Sequence, residues 1–317
     1  VTFISAFRAK DGIILGADSQ ETYGDYKLVV DKLDPKQAGE YEIAVGGCGI
    51  GDLVDDLCEH VAEWAEGWGV LSEREMQREL RSKVRSFYVA NVAAYPSRDS
   101  KRIQAIVCAK HSDSPHVFLF QLRGTVVTKV KDFSLIGWDT PIIQHFVRRL
   151  YRPGLPISQC VLLTLYLFSI VGSTVTVVGG DTRIVIAREN GLHLHEHLYV
   201  DKIEENIRLF TKLIDRLVLA CPDTSLTPAE FDTAITEFTN TAKAVREKYL
   251  YDFGHLLILN AKTNPNYRGD PYPLMPLGAF IQTSEGGAVT SVEIGTDAAE
   301  GANERTMAAF KEKDSKP

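Results

Sequence analysis

Apolar residues run almost unbroken through Phe3-Ile4-Ser5-Ala6-Phe7 and again through Ile13-Ile14-Leu15-Gly16-Ala17. Lys10-Asp11-Gly12 separates the two runs, and Asp-Gly in that position predicts a hairpin whose second strand ends at Asp18. Lys27–Val30 and Tyr41–Val45 read as two further strands, with a turn over Gly46–Gly51. Apolar positions Leu53, Val54, Leu57, Val61 and Trp64 then recur at helical spacing, predicting a helix over about 52–68. Ser72 and Glu75 form a capping-box pair opening a second helix to about Tyr95. Strands follow at Ile103–Lys110 and Val117–Leu122, and Gly124 turns into Thr125-Val126-Val127. Thr140-Pro141 starts a helix to Tyr151, with proline at its favoured first position, and Leu155-Pro156 starts another. Arg183–Arg188, a turn at Glu189-Asn190-Gly191, and Leu192–Tyr199 make a late hairpin. Asp201–Ala220 and Pro228–Tyr251 read as helices and Leu256–Leu259 as a strand. From Thr263 onward Pro, Gly, Ser, Thr and acidic residues dominate, the composition of a loop-rich or partly disordered tail. The pattern alone predicts an α+β protein with mostly antiparallel strands.

Composition narrows the function classes. The 317 residues carry a net charge of −7, which argues against general nucleic-acid binding. Five cysteines, none in a CxxC pair, read as reduced thiols in a cytosolic protein. Pro153–Gly180 contains no charged residue and is long enough for a membrane span, but Ser, Thr and Gly crowd its second half. It reads as a buried helix followed by a loop and strand. The start lacks the basic and apolar regions of a signal peptide. His193, His195 and His197 would share one face of a strand and are the best metal candidate, although an exposed strand face explains them as well. Gly47-Cys48-Gly49-Ile50-Gly51 mimics a dinucleotide loop, with its third glycine one residue early and no βαβ unit after it.

A threonine at the start of a buried strand has a special property when nothing precedes it. Its own α-amino group titrates near 7.7–8.0, against about 10.4 for lysine, so it can take the hydroxyl proton at working pH. Thr2 holds that position, and its strand pairs with one ending in Asp18. The order Thr2, Lys10-Asp11-Gly12, Ala17-Asp18-Ser19, Thr22, Gly24, Asp31-Lys32-Leu33 and Gly46-Gly47-Cys48-Gly49 resembles proteasome β-type subunits, N-terminal-nucleophile hydrolases of the threonine class. The resemblance spans roughly residues 2–200, with most of its specificity in the first 60.

That resemblance implies a four-layer αββα sandwich of two antiparallel sheets over residues 1–200. A helical C-terminal extension over 201–262 and a tail over 263–317 would follow. It implies Thr2 as nucleophile, Lys32 beside its hydroxyl to favour the alkoxide, and Asp18 holding Lys32 charged, with Lys27 as the alternative lysine. The backbone amide of Gly47 or Cys48 would receive the oxyanion. Glu21 and Val30 fall where family members line the first specificity pocket. The implied activity is a cytoplasmic amidohydrolase, a peptidase, acting on a peptide or protein without metal or cofactor. Its implied partners are copies of itself in a ring and a regulatory ATPase or cap, with no nucleic acid and no membrane. Three departures stand against this pattern. Val1 precedes Thr2, and aminopeptidase trimming of a Val1 read from a non-AUG start codon would expose it. Trp138 stands at the family's serine. The Asp-x-x-Ser before the late strand is absent, leaving Ser173 or Asp181 as substitutes. The departures favour a non-catalytic ring or scaffold subunit of the same fold, and the same acyl-enzyme chemistry would equally serve a transpeptidase or ligase.

Overall fold

The computed structural model describes residues 2–23, 26–93, 103–138, 141–176, 178–195 and 197–263. In chain order its elements are β1 (Phe3–Ala9), β2 (Gly12–Asp18), β3 (Gln20–Tyr23), β4 (Tyr26–Val29), β5 (Asp34–Ala38), β6 (Tyr41–Cys48), α1 (Gly51–Glu66), α2 (Glu73–Phe87, continuing into a π-helical turn, Tyr88–Val92), β7 (Gln104–His111), β8 (Val117–Arg123), β9 (Val126–Lys129), β10 (Phe133–Gly137), α3 (Pro141–Leu150), α4 (Ile157–Thr174), β11 (Thr182–Arg188), β12 (Gly191–Leu194), α5 (His197–Ala220) and α6 (Pro228–Thr263).

Ten of the strands form two five-stranded sheets, ordered β10-β1-β2-β11-β12 and β5-β6-β7-β8-β9, and β3 and β4 form a separate ribbon. Every strand pairing is antiparallel. Because successive side chains point to opposite faces of a strand, each apolar run feeds two cores. Ile4, Ala6, Ile13, Leu15 and Val185 of the first sheet meet Ala44, Ile106, Cys108 and Leu119 of the second in a central layer. The alternate residues Phe3, Phe7, Ile14, Ile184 and Ile186 pack outward against α3, α4 and α5. On the other side Ile43, Val45, Val107 and Phe120 pack outward against α1 and α2. The result is helices, sheet, sheet and helices, the four layers of an αββα sandwich. It accounts for strands that are apolar on both faces.

The uncharged segment folds as α4, the one described helix long and apolar enough to cross a membrane, and it lies on the first sheet with ten residues buried. Its close approach depends on Gly16, where a Cβ would come within 2.5 Å of the Thr164 methyl. Burial of each large apolar side chain, such as Leu165 or Phe168, contributes about 1.5–3 kcal/mol. The β1–β2 turn locks onto the start of this helix. Lys10 N–H donates to Leu155 O at 2.8 Å, and Asp11 accepts from Ile157 N–H at 2.8 Å. The Tyr249 hydroxyl of α6 donates to Ser158 O on the same helix. The Ser72–Glu75 capping box opens α2 as its sequence predicts.

Four expectations need correction. Gly46 and Gly47 are not in a turn, because β6 continues through Cys48 and only Gly49-Ile50 bend. The glycines serve close approach instead: a Cβ on Gly46 would lie 2.8 Å from Leu33, and one on Gly47 2.5 Å from Val54. The late hairpin ends at Leu194, and Tyr199 lies in α5. His193 and His195 are buried rather than exposed, and His197 begins a helix, so the three share no strand face. No cluster of metal-binding side chains occurs among the described residues. Leu256–Leu259 belongs to α6, a short apolar run being readable either way. Strands β3, β5 and β10 escaped the pattern; β5 is a sheet edge containing Pro35, where a ladder donor is dispensable. Val1, Gly24, Tyr95, Thr140 and the tail after Thr263 lie outside the described residues.

Candidate active site

Four backbone segments converge at one end of the sandwich. β1 and β2 are antiparallel, so the start of β1 lies beside Asp18 at the end of β2. Across the central layer, a Cβ on Gly46 would lie 3.0 Å from Ile4 and 3.3 Å from the carbonyl of Lys32. That contact brings the end of β6 and the segment before β5 to the same place.

The peptide joining Thr2 to Phe3 is gripped on both sides. The Phe3 N–H donates to Asp18 Oδ1 at 2.8 Å, and the Thr2 carbonyl accepts from Trp138 N–H at 3.0 Å. Gly137 makes the second grip possible. Its φ is +84°, and a Cβ there would stand 1.8 Å from the Thr2 oxygen. Asp18 Oδ2 accepts from Lys32 Nζ at 3.0 Å, and the same ammonium donates to the Gln20 carbonyl. One carboxylate therefore ties the backbone of the Thr2–Phe3 unit to a cation. Lys27 points elsewhere, with Nζ 3.2 Å from Thr176 O.

The pair is nearly dry: the Lys32 side chain is 10% exposed and that of Asp18 2%. Burial raises the Asp18 carboxyl above its ordinary value, opposed by Lys32 and by hydrogen bonds from Phe3 and Gly179. Burial likewise lowers the Lys32 ammonium, opposed by Asp18 and, more weakly, by Glu21 and Cys48. Each charge is thus kept by the other, since removing either leaves an uncompensated buried ion.

Gly47 and Cys48, the expected oxyanion donors, lie in the last turn-free stretch of β6. β7 pairs with Gly46, Gly47 and Cys48, whereas the pairing with β5 ends at Val45. Backbone groups on that side of β6 beyond Val45 therefore run on past the β5 ladder, toward the side from which Lys32 approaches. Ser173 sits in the last turn of α4, where its hydroxyl donates to Ile170 O at 2.8 Å. Asp181 comes to the Asp18 strand through its backbone, its N–H donating to Ser19 Oγ at 2.7 Å.

Several participants have no signature in the sequence. Gln20 N–H donates to Gly179 O at 2.9 Å, and Gln20 Nε2 reaches Thr176 O, so the loop after α4 braces residues 18–20. Gly180, with φ of +73°, lets that loop close on Ser19, whose Oγ would lie 2.5 Å from a Cβ. Arg183 of β11 pairs at 2.7 Å with Asp31, next to Lys32. The Gly179-Gly180 pair, one residue ahead of β11, is the clue the sequence holds to this close approach.

The family model for proteasome subunits matches residues 2–187. The chain belongs to the proteasome-subunit family. Its fold is the proteasome-like N-terminal-nucleophile hydrolase fold, and solved structures of that fold align over most of it. Anbu (ancestral β-subunit) from Yersinia bercovieri matches with a TM-score of 0.56 and 15% identity, covering 68% of this chain and 97% of that one. An Anbu Gly-1 mutant from Hyphomicrobium sp. strain MC1 gives 0.58 and 17%, covering 70% and 98%. The helical assembly of the Anbu complex from Pseudomonas aeruginosa gives 0.56 and 14%, covering 72% and 99%. At such identities the likeness is one of fold. No curated protein matches the sequence significantly.

Proposed function

We propose that this family member is a threonine-type amidohydrolase, a peptidase, with Thr2 as nucleophile. The observation that carries the reading is the bridging Asp18. It holds the Phe3 amide with one oxygen and Lys32 with the other, which supports the reading of Lys32 as the cation that serves the Thr2 hydroxyl. In the reaction, Thr2 Oγ attacks the scissile carbonyl while its proton passes to the Thr2 α-amine, directly or through one water. The oxygen that gains charge accepts from the backbone N–H of Gly47 or Cys48. Collapse expels the leaving amine with the proton, and water resolves the ester by the reverse route. Lys32 disfavours protonation of the nearby amine and stabilises the alkoxide. The amine must be uncapped, so Val1 and anything before it must be removed. Ser173 and Asp181 remain supporting candidates. The reading extends to self-assembly, which the helical assembly of one structural neighbour supports, and further to a closed homo-oligomeric ring, a regulatory ATPase or cap, and a cytoplasmic setting.

A second reading, a non-catalytic assembly subunit, is favoured by Val1 ahead of Thr2 and by Trp138 at the position of the family's serine. One experiment separates the two. The native protein is treated with a threonine-directed epoxyketone or β-lactone, and the adduct is located by mass spectrometry. An adduct on Thr2 that disappears in Thr2→Ala supports the hydrolase. A retained Val1 with no adduct rejects it in favour of the assembly subunit.

A further inference from the structure

We propose that Glu204 of α5 is a positioning residue for the Asp18–Lys32 pair, acting through Thr182 of β11. The inference rests on the reading of that pair as the candidate catalytic centre.

The placement is set by strand register. In the β2–β11 pairing, Ile14 lies opposite Ile186, Gly16 opposite Ile184, and Asp18 opposite Thr182. Ile14, Ile184 and Ile186 belong to the outer core beneath α4 and α5, and the face of Gly16 meets Thr164 and Phe168 of α4. By alternation, Thr182 and Asp18 continue this row as its last pair. Residues directly opposite on one face of an antiparallel pair have Cβ atoms about 4.5–5.5 Å apart. Both residues are buried. The Thr182 hydroxyl donates to Glu204 Oε1, so its rotamer is set by a side chain on α5. The chain of neighbours thus runs from Glu204 to Thr182, to Asp18 and to Lys32.

Two further features mark this as a joint. Residues next to Thr182 are stitched to the same strand end, Asp181 N–H to Ser19 and Gly179 O to Gln20. α5 itself is seated by Val200, Ile203 and Ile207, which are buried in the outer core on either side of Glu204. Burial raises the Glu204 carboxyl, against the hydroxyl of Thr182 and the charge of Arg208; Asp201 and Asp181 push it the same way as burial. A carboxyl in such a setting is held there by its hydrogen bond. α5 lies beyond the residues that the family model matches, 2–187. A helix beyond that sequence match therefore reaches the strand end that carries the site.

The test uses the full chain with Thr182→Val, Glu204→Leu, Glu204→Gln and the Thr182→Val/Glu204→Leu double variant. Two readouts are taken, with thermal midpoints measured alongside. The first is the pH profile of Lys32 acylation by an amine-reactive reagent, followed by mass spectrometry; it needs no activity at Thr2. The second is the rate and half-saturation of Thr2 labelling by a β-lactone. Thr182→Val and Glu204→Leu each move the Lys32 profile and slow labelling about tenfold at unchanged half-saturation. Glu204→Gln, which keeps an acceptor for the Thr182 hydroxyl, behaves as wild type. The double variant loses no more than either single one, as expected of one linked path. A wild-type Lys32 profile in both single variants overturns the proposal. If the Lys32 profile moves but wild-type Thr2 takes no label, the linkage stands and the hydrolase reading falls.

Discussion

Asp18 makes two contacts with two different jobs, and substitution can separate them. Lys32→Ala leaves the Phe3 hydrogen bond but removes the cation, and is expected to slow Thr2 labelling roughly 100-fold or more and to lower the thermal midpoint, because Asp18 loses its counter-charge. The pH profile follows from the same burial. Lys32 is held below the ordinary lysine range, so labelling declines in alkali before about pH 10.4, where a free lysine titrates. Asp18→Asn removes the counter-charge that opposes this shift, so the alkaline limb moves further down in pH; an unmoved limb would show that Lys32 does not govern the rate. Gly137 tests the other grip. Gly137→Ala puts a Cβ 1.8 Å from the Thr2 carbonyl at a φ of +84°, and a loss of about 2 kcal/mol or more is expected in the unfolding free energy from denaturant titration.

Elements were legible wherever their signal is local. The Lys10-Asp11-Gly12 turn, the Ser72–Glu75 box and the Pro141 start each depend on a few neighbouring residues, and each lies where the chain predicts it. Gly46 and Gly47 are not legible in this way, because a glycine that makes a turn and one that lets Val54 or Leu33 approach look alike in sequence. The period-2 spacing of the histidines has no structural counterpart, because the strand bearing His193 ends at Leu194. Of the candidate site, Thr2, Asp18 and Lys32 were nameable in the sequence by family order. The brace on residues 19 and 20 was not, although Asp181 itself was nameable, since it joins residues about 160 positions apart and each of its bonds uses a backbone group of the 176–181 segment, which any sequence supplies. Two substitutions probe this scale. Ser72→Ala removes the hydroxyl's bonds with Glu75 but keeps the Ser72 N–H to the Glu75 carboxylate, and is expected to cost about 0.5–2 kcal/mol by thermal or chemical melting. Gly16→Ala should cost about 1–3 kcal/mol by crowding α4, and Thr164→Ser in the same chain should return part of it by deleting the clashing methyl.

For the molecule as a whole, burial predicts which thiols a reagent can reach. No disulfide joins the five cysteines; Cys221 is exposed, while burial pushes Cys58, Cys108 and Cys160 up to about 12. Alkylation of the native protein at neutral pH should therefore modify Cys221 first, with the buried Cys108 and Cys160 reacting only on unfolding, as peptide mapping would show. Native mass spectrometry tests the expected self-assembly, and a monomer at micromolar concentration would reject it. The grip on the first peptide bears on how such a subunit would mature. Both of its hydrogen bonds fall on the C-terminal side of the Thr2 α-carbon, to that residue's carbonyl and to the next amide. Neither involves the nitrogen that a leading residue would occupy. A peptidase clipping the chain ahead of Thr2 would therefore change the charge at that nitrogen while the strand kept its anchorage. Precursor and trimmed forms should then share one architecture and differ only in reactivity.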